Sequence, residues 1–343
     1  MKRIDSLDTL RGLAILMVTA IHCSQAYTST SGISNLLFPF GSLGVQLFFM
    51  VSGFTMLLTF GVQFNRHVVG DFYIRRIARI APLFWLATLG YLWKDGLGAR
   101  FWAPNGIGWS EIALSLSFLH GLTPQAINSI VPGGWTIAIE MQFYLIFPLF
   151  AYLFFWRGPG TVTPYLLVIL IYGLGLITSR WILADTIHPY LEVNEYPLLI
   201  SFFYFWLPNQ LLCFGFGFLL FELIENKHFN KLGATLLIGA SLLTSLGLSI
   251  LFLFLLSYFV MSNRISNGFL RHIGIASYAM YLLQFAVIHL VTWVWMSTLG
   301  HLPSFELGFI AVALISYGIS RYFLAPWIEG PAIAFGKKLA HSK

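Results

Sequence analysis

The feature that most restricts this chain is a succession of apolar runs long enough to cross a bilayer. They cover residues 8–27, 41–61, 77–93, 136–156, 163–183, 199–224, 271–296 and 305–326. A helix rises 1.5 Å per residue, so about 20 apolar residues cross the ~30 Å hydrocarbon core. Backbone polar groups in lipid must be satisfied within the segment. The fold class is therefore all-α, a polytopic integral membrane protein. Composition agrees: 58% of residues are hydrophobic and 9% charged, with mean hydropathy +0.79, outside the range of soluble domains. The runs and their short loops use the whole length, so 1–343 reads as a single membrane-embedded domain.

A ninth run, 232–262, fits one tilted helix or two short ones, with Ser-Leu-Gly-Leu-Ser at 245–249 as a candidate turn. Charge favours two. With about ten transmembrane helices, the cations from Lys2 and Arg3 through Arg75, Arg76, Arg79, Arg157, Lys227, Arg264 and Lys343 share one side. Only Lys94, Arg100 and Arg180 lie toward the other. That is a positive-inside bias with both termini cytoplasmic. The loop 184–198, with Asp185, Glu192 and Glu195, then falls outside. The net charge of +6 reports these loops and implies no nucleic-acid partner. Cys23 and Cys213 sit inside apolar runs and suggest neither a disulfide nor a metal site. The first run carries Arg11 and no small-residue cleavage site follows, so it reads as a retained span.

That first run, LDTLRGLAILMVTAIHC, holds the residues least at home in lipid. Arg11 and His22 are eleven positions apart, three helical turns plus about 20°, so they share one stripe roughly 16 Å apart along the axis. Ionisable residues inside a membrane helix mark functional paths by default. Asp8, a turn before Arg11, strengthens that reading.

Three further constellations stand out. In DFYIRRIARIAPLFW, Arg75, Arg76 and Arg79 stand at the cytoplasmic mouth of the third span, with Arg76 and Arg79 one turn apart on one face. Guanidinium forks suit phosphate oxygens, although topology signalling and lipid snorkelling use the same residues. In VPGGWTIAIEMQFYLIFPL, Glu140 lies about one and a half turns into the fourth span, at the expected depth of His22, where it would orient an imidazole. In SYAMYLLQFAVIH, Gln284 matches that depth again, with Tyr281 one turn below and Tyr278 on the same helix. The short run 111–121 is expected to lie at the outer interface. Trp102, Trp109 and Trp135 gather at that level as a headgroup belt or as a stacking platform for a sugar.

Taken in order, these segments resemble the membrane acyltransferase-3 family. The resemblance is carried by LDTLRG at 7–12, the Arg-to-His spacing of the first span, GVQLFFMVSGF at 44–54, RRIAR at 75–79, GGWTIAIEMQFYLIFPL at 133–149, SYAMYLLQ at 277–284 and PWIEGP at 326–331. It implies transfer of an acyl group, commonly acetyl from acetyl-CoA, to sugars of surface or exported glycans. Arg11 and His22 match the family's first-span pair, Arg76 and Arg79 its Arg-x-x-Arg, and Glu140 its acidic residue after the tryptophan. Gln284 departs from it, standing where the family more often has His.

The residues and the resemblance converge on one expectation, an O-acyltransferase of the bacterial inner (cytoplasmic) membrane. Arg11, Arg75, Arg76 and Arg79 would hold acyl-CoA as donor substrate. His22 would act as base or as covalent carrier, with Glu140 holding its tautomer. Gln284, Tyr281 and Trp135 would meet a carbohydrate acceptor, lipid-linked or free. No metal is called for. The rival is a proton-coupled transporter or flippase with Arg11, His22 and Glu140 as a relay.

Overall fold

The computed structural model describes residues 4–29, 41–60, 66–156, 160–182, 196–226 and 229–341. The acidic segment expected outside, 184–198, lies almost wholly beyond the described residues, as do Lys2, Arg3, Arg157, Lys227 and Lys343. Among the described residues the structure is helical, with one isolated bridge between Arg100 and Ala103. Seven helices among the described residues are long and apolar enough to cross a membrane.

In chain order the helices are α1 (Asp5–Ala26), α2 (Gly44–Phe60), α3 (Arg66–Asp95), α4 (Trp109–Leu116), α5 (Trp135–Trp156), α6 (Thr163–Trp181), α7 (Tyr196–Phe205) and α8 (Leu207–Phe221). They continue as α9 (Lys231–Ser241), α10 (Ser245–Ser262), α11 (Gly268–Leu299), α12 (Phe305–Ile319) and α13 (Gly330–His341). A wider, π-type stretch, Ser320–Glu329, joins the last two and contains Pro326, which has no N–H to give to a regular ladder.

Contacts fix how the helices run relative to one another. The Asp5–Arg271 ion pair (2.9 Å) at one end and the Tyr27 hydroxyl on the Ile288 carbonyl (3.0 Å) at the other make α1 and α11 parallel. Arg11 against Thr55 sets α2 antiparallel to α1. Gln46 on Gln210 and Phe54 on Phe221 set α8 parallel to α2. Tyr278 on Ile80 and His289 on Lys94 align α3 with α11. The first three helices, α1, α2 and α3, therefore alternate in direction as successive crossings would.

The run 232–262 is two helices. The break falls at Leu242–Thr244, before the expected 245–249, because the Thr244 hydroxyl accepts from the Gly247 N–H (2.9 Å) and caps α10. With 11 residues, α9 is about 16 Å long and does not span the hydrocarbon by itself.

Two features position the site. First, α1 and α11 meet backbone to backbone at Gly12 and Gly274. A Cβ on Gly12 would lie 2.0 Å from the Leu270 carbonyl oxygen, and one on Gly274 would lie 1.9 Å from that of Asp8. Only glycine permits that approach. Second, aromatic rings fill the centre, with Phe143 stacked on Phe214 at 3.7 Å and burial of Phe54, Phe147 and Phe218 complete.

The run 111–121, expected at the outer interface, is divided. Glu111 accepts from the Gly108 N–H (2.8 Å) at the start of α4. Partial burial works to raise its pKa, but backbone and Ser110 hydrogen bonds outweigh this and lower it. The Trp85 indole donates to the Leu116 carbonyl (2.9 Å) at the other end, filling an acceptor the helix leaves open. Phe118 then turns the chain at φ 62° into a short turn, His120–Leu122.

Candidate active site

A cavity of about 100 Å³ opens between α1, α2, α3, α5 and α11. Arg11, Arg76 and Arg79 line it together with Ser52, Thr55, Glu140 and Tyr144, and Thr136, Tyr278 and Tyr281 line it as well. Chain segments 11, 76–79, 140 and 277–281, distant in sequence, therefore share one space.

Each arginine is placed differently. Arg11 donates to Asp8 (3.1 Å) and to the Thr55 hydroxyl (2.9 Å), so its fork is held between its own helix and α2. Arg76 donates to Thr59 (3.0 Å) and lies 5.2 Å from the Tyr144 ring centroid and 5.5 Å from that of Phe72, a cation–π cradle. Arg79 is exposed at the cavity and makes no hydrogen bond or ion pair among the described residues. Arg75 does not join them. Adjacent helical residues point about 100° apart, and Arg75 instead pairs with Asp71 (3.1 Å), away from the cavity.

Glu140 sits in a node that sequence reasoning missed. Its Oε1 accepts from the Ser52 hydroxyl (2.7 Å) and from the Tyr144 hydroxyl, a short contact. The expected Glu140–His22 bond is not formed. The His22 Nδ1 is 3.2 Å from the Gln25 Oε1, and its ring leans on Phe285 with centroids 4.3 Å apart. Depth along a span is readable from residue count, but the direction a side chain faces around the bundle is not. The α5 face that carries Glu140 looks at α2, whereas His22 looks at α11. No hydrogen-bond chain joins Arg11, Glu140 and His22 among the described residues, so the geometry offers no direct proton relay through the three.

His22 nonetheless lies just past the cavity. Phe285, its ring partner, is one turn, about 6 Å, beyond the cavity residue Tyr281 on α11. The Tyr281 hydroxyl donates to the Gly133 carbonyl (2.9 Å) and ties α11 to the turn before α5. Gln284 is fully buried and donates to the Tyr281 carbonyl (3.1 Å); it does not reach His22. Trp135 is not an open platform. Phe205 stacks on it at 4.2 Å, Phe49 meets it edge-on at 6.0 Å, and it is 7% exposed. Trp109 is open at 86% exposure, while Trp102 meets Phe101 edge-on at 5.0 Å.

Of the residues missed, Tyr144 had a signal, since it stands four positions after Glu140 on one helix face. Ser52 and Thr55 had none, because hydroxyls in an apolar run commonly bond their own backbone.

A chain with arginines and a carboxylate gathered inside an apolar bundle invites comparison with membrane enzymes. The profile of the acyltransferase domain family matches residues 4–321. The peptidoglycan O-acetyltransferase OatA of Listeria monocytogenes is 28% identical over 197 residues, covering 52% of this chain and 29% of that protein. The exopolysaccharide production protein ExoZ of Rhizobium meliloti is 36% identical over 114 residues, covering 32% of this chain and 34% of that protein. The O-acetyltransferase OatA of Staphylococcus aureus is 25% identical over 206 residues, 54% of this chain and 31% of that protein. The chain thus covers about a third or less of the length of each relative. No solved structure matches. With a family match running through nearly every helix that lines the cavity, the chain belongs to the acyltransferase-3 family of membrane proteins.

Proposed function

We propose that the chain is a membrane O-acyltransferase that takes an acyl group, acetyl above all, from acyl-CoA at its arginine end and delivers it to a hydroxyl of an extracytoplasmic carbohydrate. The observation that supports it most is the convergence of Arg11, Arg76 and Arg79 on one cavity whose other wall reaches Tyr281, a turn short of His22. The relatives named as O-acetyltransferases support the reaction class.

The donor's phosphates would meet Arg76 and Arg79 at the mouth, with Arg11 deeper. The slender pantetheine arm would follow the cavity past Tyr281. An acceptor oxygen then attacks the thioester carbon, a C–O bond forms, the C–S bond breaks, and His22 takes the hydroxyl proton and returns it to the thiolate. In the covalent variant the imidazole itself first accepts the acyl group and then yields it to the acceptor. Glu140, bonded to Ser52 and Tyr144, is assigned to the cavity wall, where its charge offsets the arginines and fixes the Tyr144 ring under Arg76. Because only the arm enters the hydrocarbon, no charged group crosses it, which avoids the several kcal/mol that a charge at the bilayer centre costs.

Sealed vesicles of known orientation test this. With acetyl-CoA on the Arg76–Arg79 side and an impermeant acceptor on the other, acetylation is expected. Product formed only when both are on the arginine side would leave a cytoplasmic transferase. Absence of thermal stabilisation by CoA, which mass action demands of a binder, would remove the donor assignment altogether.

A further inference from the structure

Beyond His22 the polar residues do not stop. At the far end of α3 the Lys94 ammonium lies 2.8 Å from the His289 Nδ1 of α11 and pairs closely with Asp95. Arg100 lies 3.7 Å from the other oxygen of Asp95 and donates to the Gly96 carbonyl (2.6 Å). The bridge between Arg100 and Ala103 folds the next residues into a tight turn with Phe101 and Trp102 at its tip.

Three properties set this cluster apart from an ordinary polar cap. It is joined to the catalytic candidate: His289 is one turn beyond Phe285 on the same face of α11, and Phe285 is the ring on which His22 rests. The turn that carries Phe285 is fixed from α3, because the Tyr91 hydroxyl donates to the Leu282 carbonyl (3.0 Å) and accepts from the Ala286 N–H (3.2 Å). It also keeps bonding capacity in reserve. Lys94 has three N–H donors and uses two, and the second nitrogen of His289 makes no hydrogen bond among the described residues. Finally, it lies at the opposite end from the donor arginines, since Lys94 is fifteen positions, roughly 22 Å, along α3 from Arg79.

We propose that Lys94, Asp95, His289 and Arg100 form the docking site for the carbohydrate acceptor, which rests on the acyltransferase reading given above. The spare donors of Lys94 and His289 take hydroxyl, acetamido or carboxylate oxygens of a sugar unit, with the Arg100 guanidinium adding positive charge beside them. Asp95 keeps the two cations apart and in place. Two cations against one carboxylate make the site attractive to neutral or acidic glycans and poor for basic ones. A sugar held here presents a neighbouring hydroxyl to His22 about one helical turn, roughly 6 Å, further in. The cluster supplies the open acceptor surface that Trp135, covered by Phe205, does not.

The test uses the full-length protein in the source strain lacking its gene. Wild type should restore base-labile acetate on the surface glycan. Lys94→Gln combined with His289→Gln should lower that acetate about tenfold or more, the scale of one lost charge-assisted hydrogen bond. The purified double variant should show the same thermal stabilisation by CoA as wild type, and Lys94→Arg, which keeps the charge, should retain at least half the acetate. Acetate within twofold of wild type in the double variant overturns the proposal, as does a parallel loss of CoA stabilisation, which would mark a structural role. If wild type itself restores no acetate, the acyltransferase reading has failed and this one with it.

Discussion

Replacing Arg76 by alanine isolates the proposed donor site. Its guanidinium is held by the Thr59 hydroxyl at 3.0 Å and stands over Tyr144 and Phe72, so it is oriented before any ligand arrives. A phosphate received there gains a charge-assisted hydrogen bond of about 1.5–3 kcal/mol. At 1.4 kcal/mol per factor of ten, Arg76→Ala should raise the apparent KM for acetyl-CoA about 10- to 150-fold. The thioester lies far from this contact, so the binding is uniform between ground and transition states and kcat should stay within about threefold. Arg76→Lys should fall between, retaining charge but losing the planar fork. Initial rates across acetyl-CoA concentrations, at two ionic strengths, provide the measurement. The KM of wild type should rise with salt more steeply than that of the alanine variant, because screening acts on the removed charge. A fall in kcat with KM unchanged would refute the assignment of Arg76 to phosphate.

His22→Ala should lower acyl transfer by about 10²–10⁴ or more, with CoA stabilisation kept because His22 does not line the arginine cavity; activity within threefold of wild type would end its catalytic role. His120, in the turn before α5, is buried, which lowers its pKa below the ordinary value, and it donates from Nε2 to the Gly134 carbonyl at 3.0 Å. The folded state therefore binds fewer protons than the unfolded one, so stability should decline as pH falls through about 6.5; the thermal midpoint of His120→Gln should decline less over the same range, and identical slopes would dismiss the effect. Gly274→Ala should destabilise by about 1–3 kcal/mol or prevent folding, because its new Cβ meets the Asp8 carbonyl at 1.9 Å. Gly268→Ala, with nothing within 4 Å, should be silent; equal yields of folded protein for the two would contradict the packing argument.

What could be read from residue order was depth, and what could not was facing. Counting along spans placed Gln284 a turn above Tyr281, and the helices keep that order. The Arg76–Arg79 spacing anticipated a shared face, and the cavity receives both. Counting gave no access to which helix stands opposite. Glu140 meets Ser52, 88 positions away, and the stack of Phe205 on Trp135 joins segments with no local link. A break within 232–262 is expected from the small residues at 245–249, but it falls at Leu242–Thr244, because one threonine side chain takes a backbone N–H, which composition does not reveal.

The glycine seam between α1 and α11 has a consequence for how the molecule can work. At Gly12 and Gly274 the two backbones touch with no side chain between them, so turning or sliding one against the other there would drive carbonyl oxygens into Cα atoms. The helix bearing Arg11 and His22 and the helix bearing Tyr278 to His289 therefore behave as one strut. A machine that exposes its centre alternately to each side needs such pairs to rock apart, and this pair is fixed. Movement that admits a donor falls to the opposite wall, α3 and α5, where cavity contacts run through side chains that can swing. The strut works as a ruler: it holds constant the distance from the arginine end to the imidazole, and under the acyltransferase function proposed above that distance sets the length of arm a donor must have.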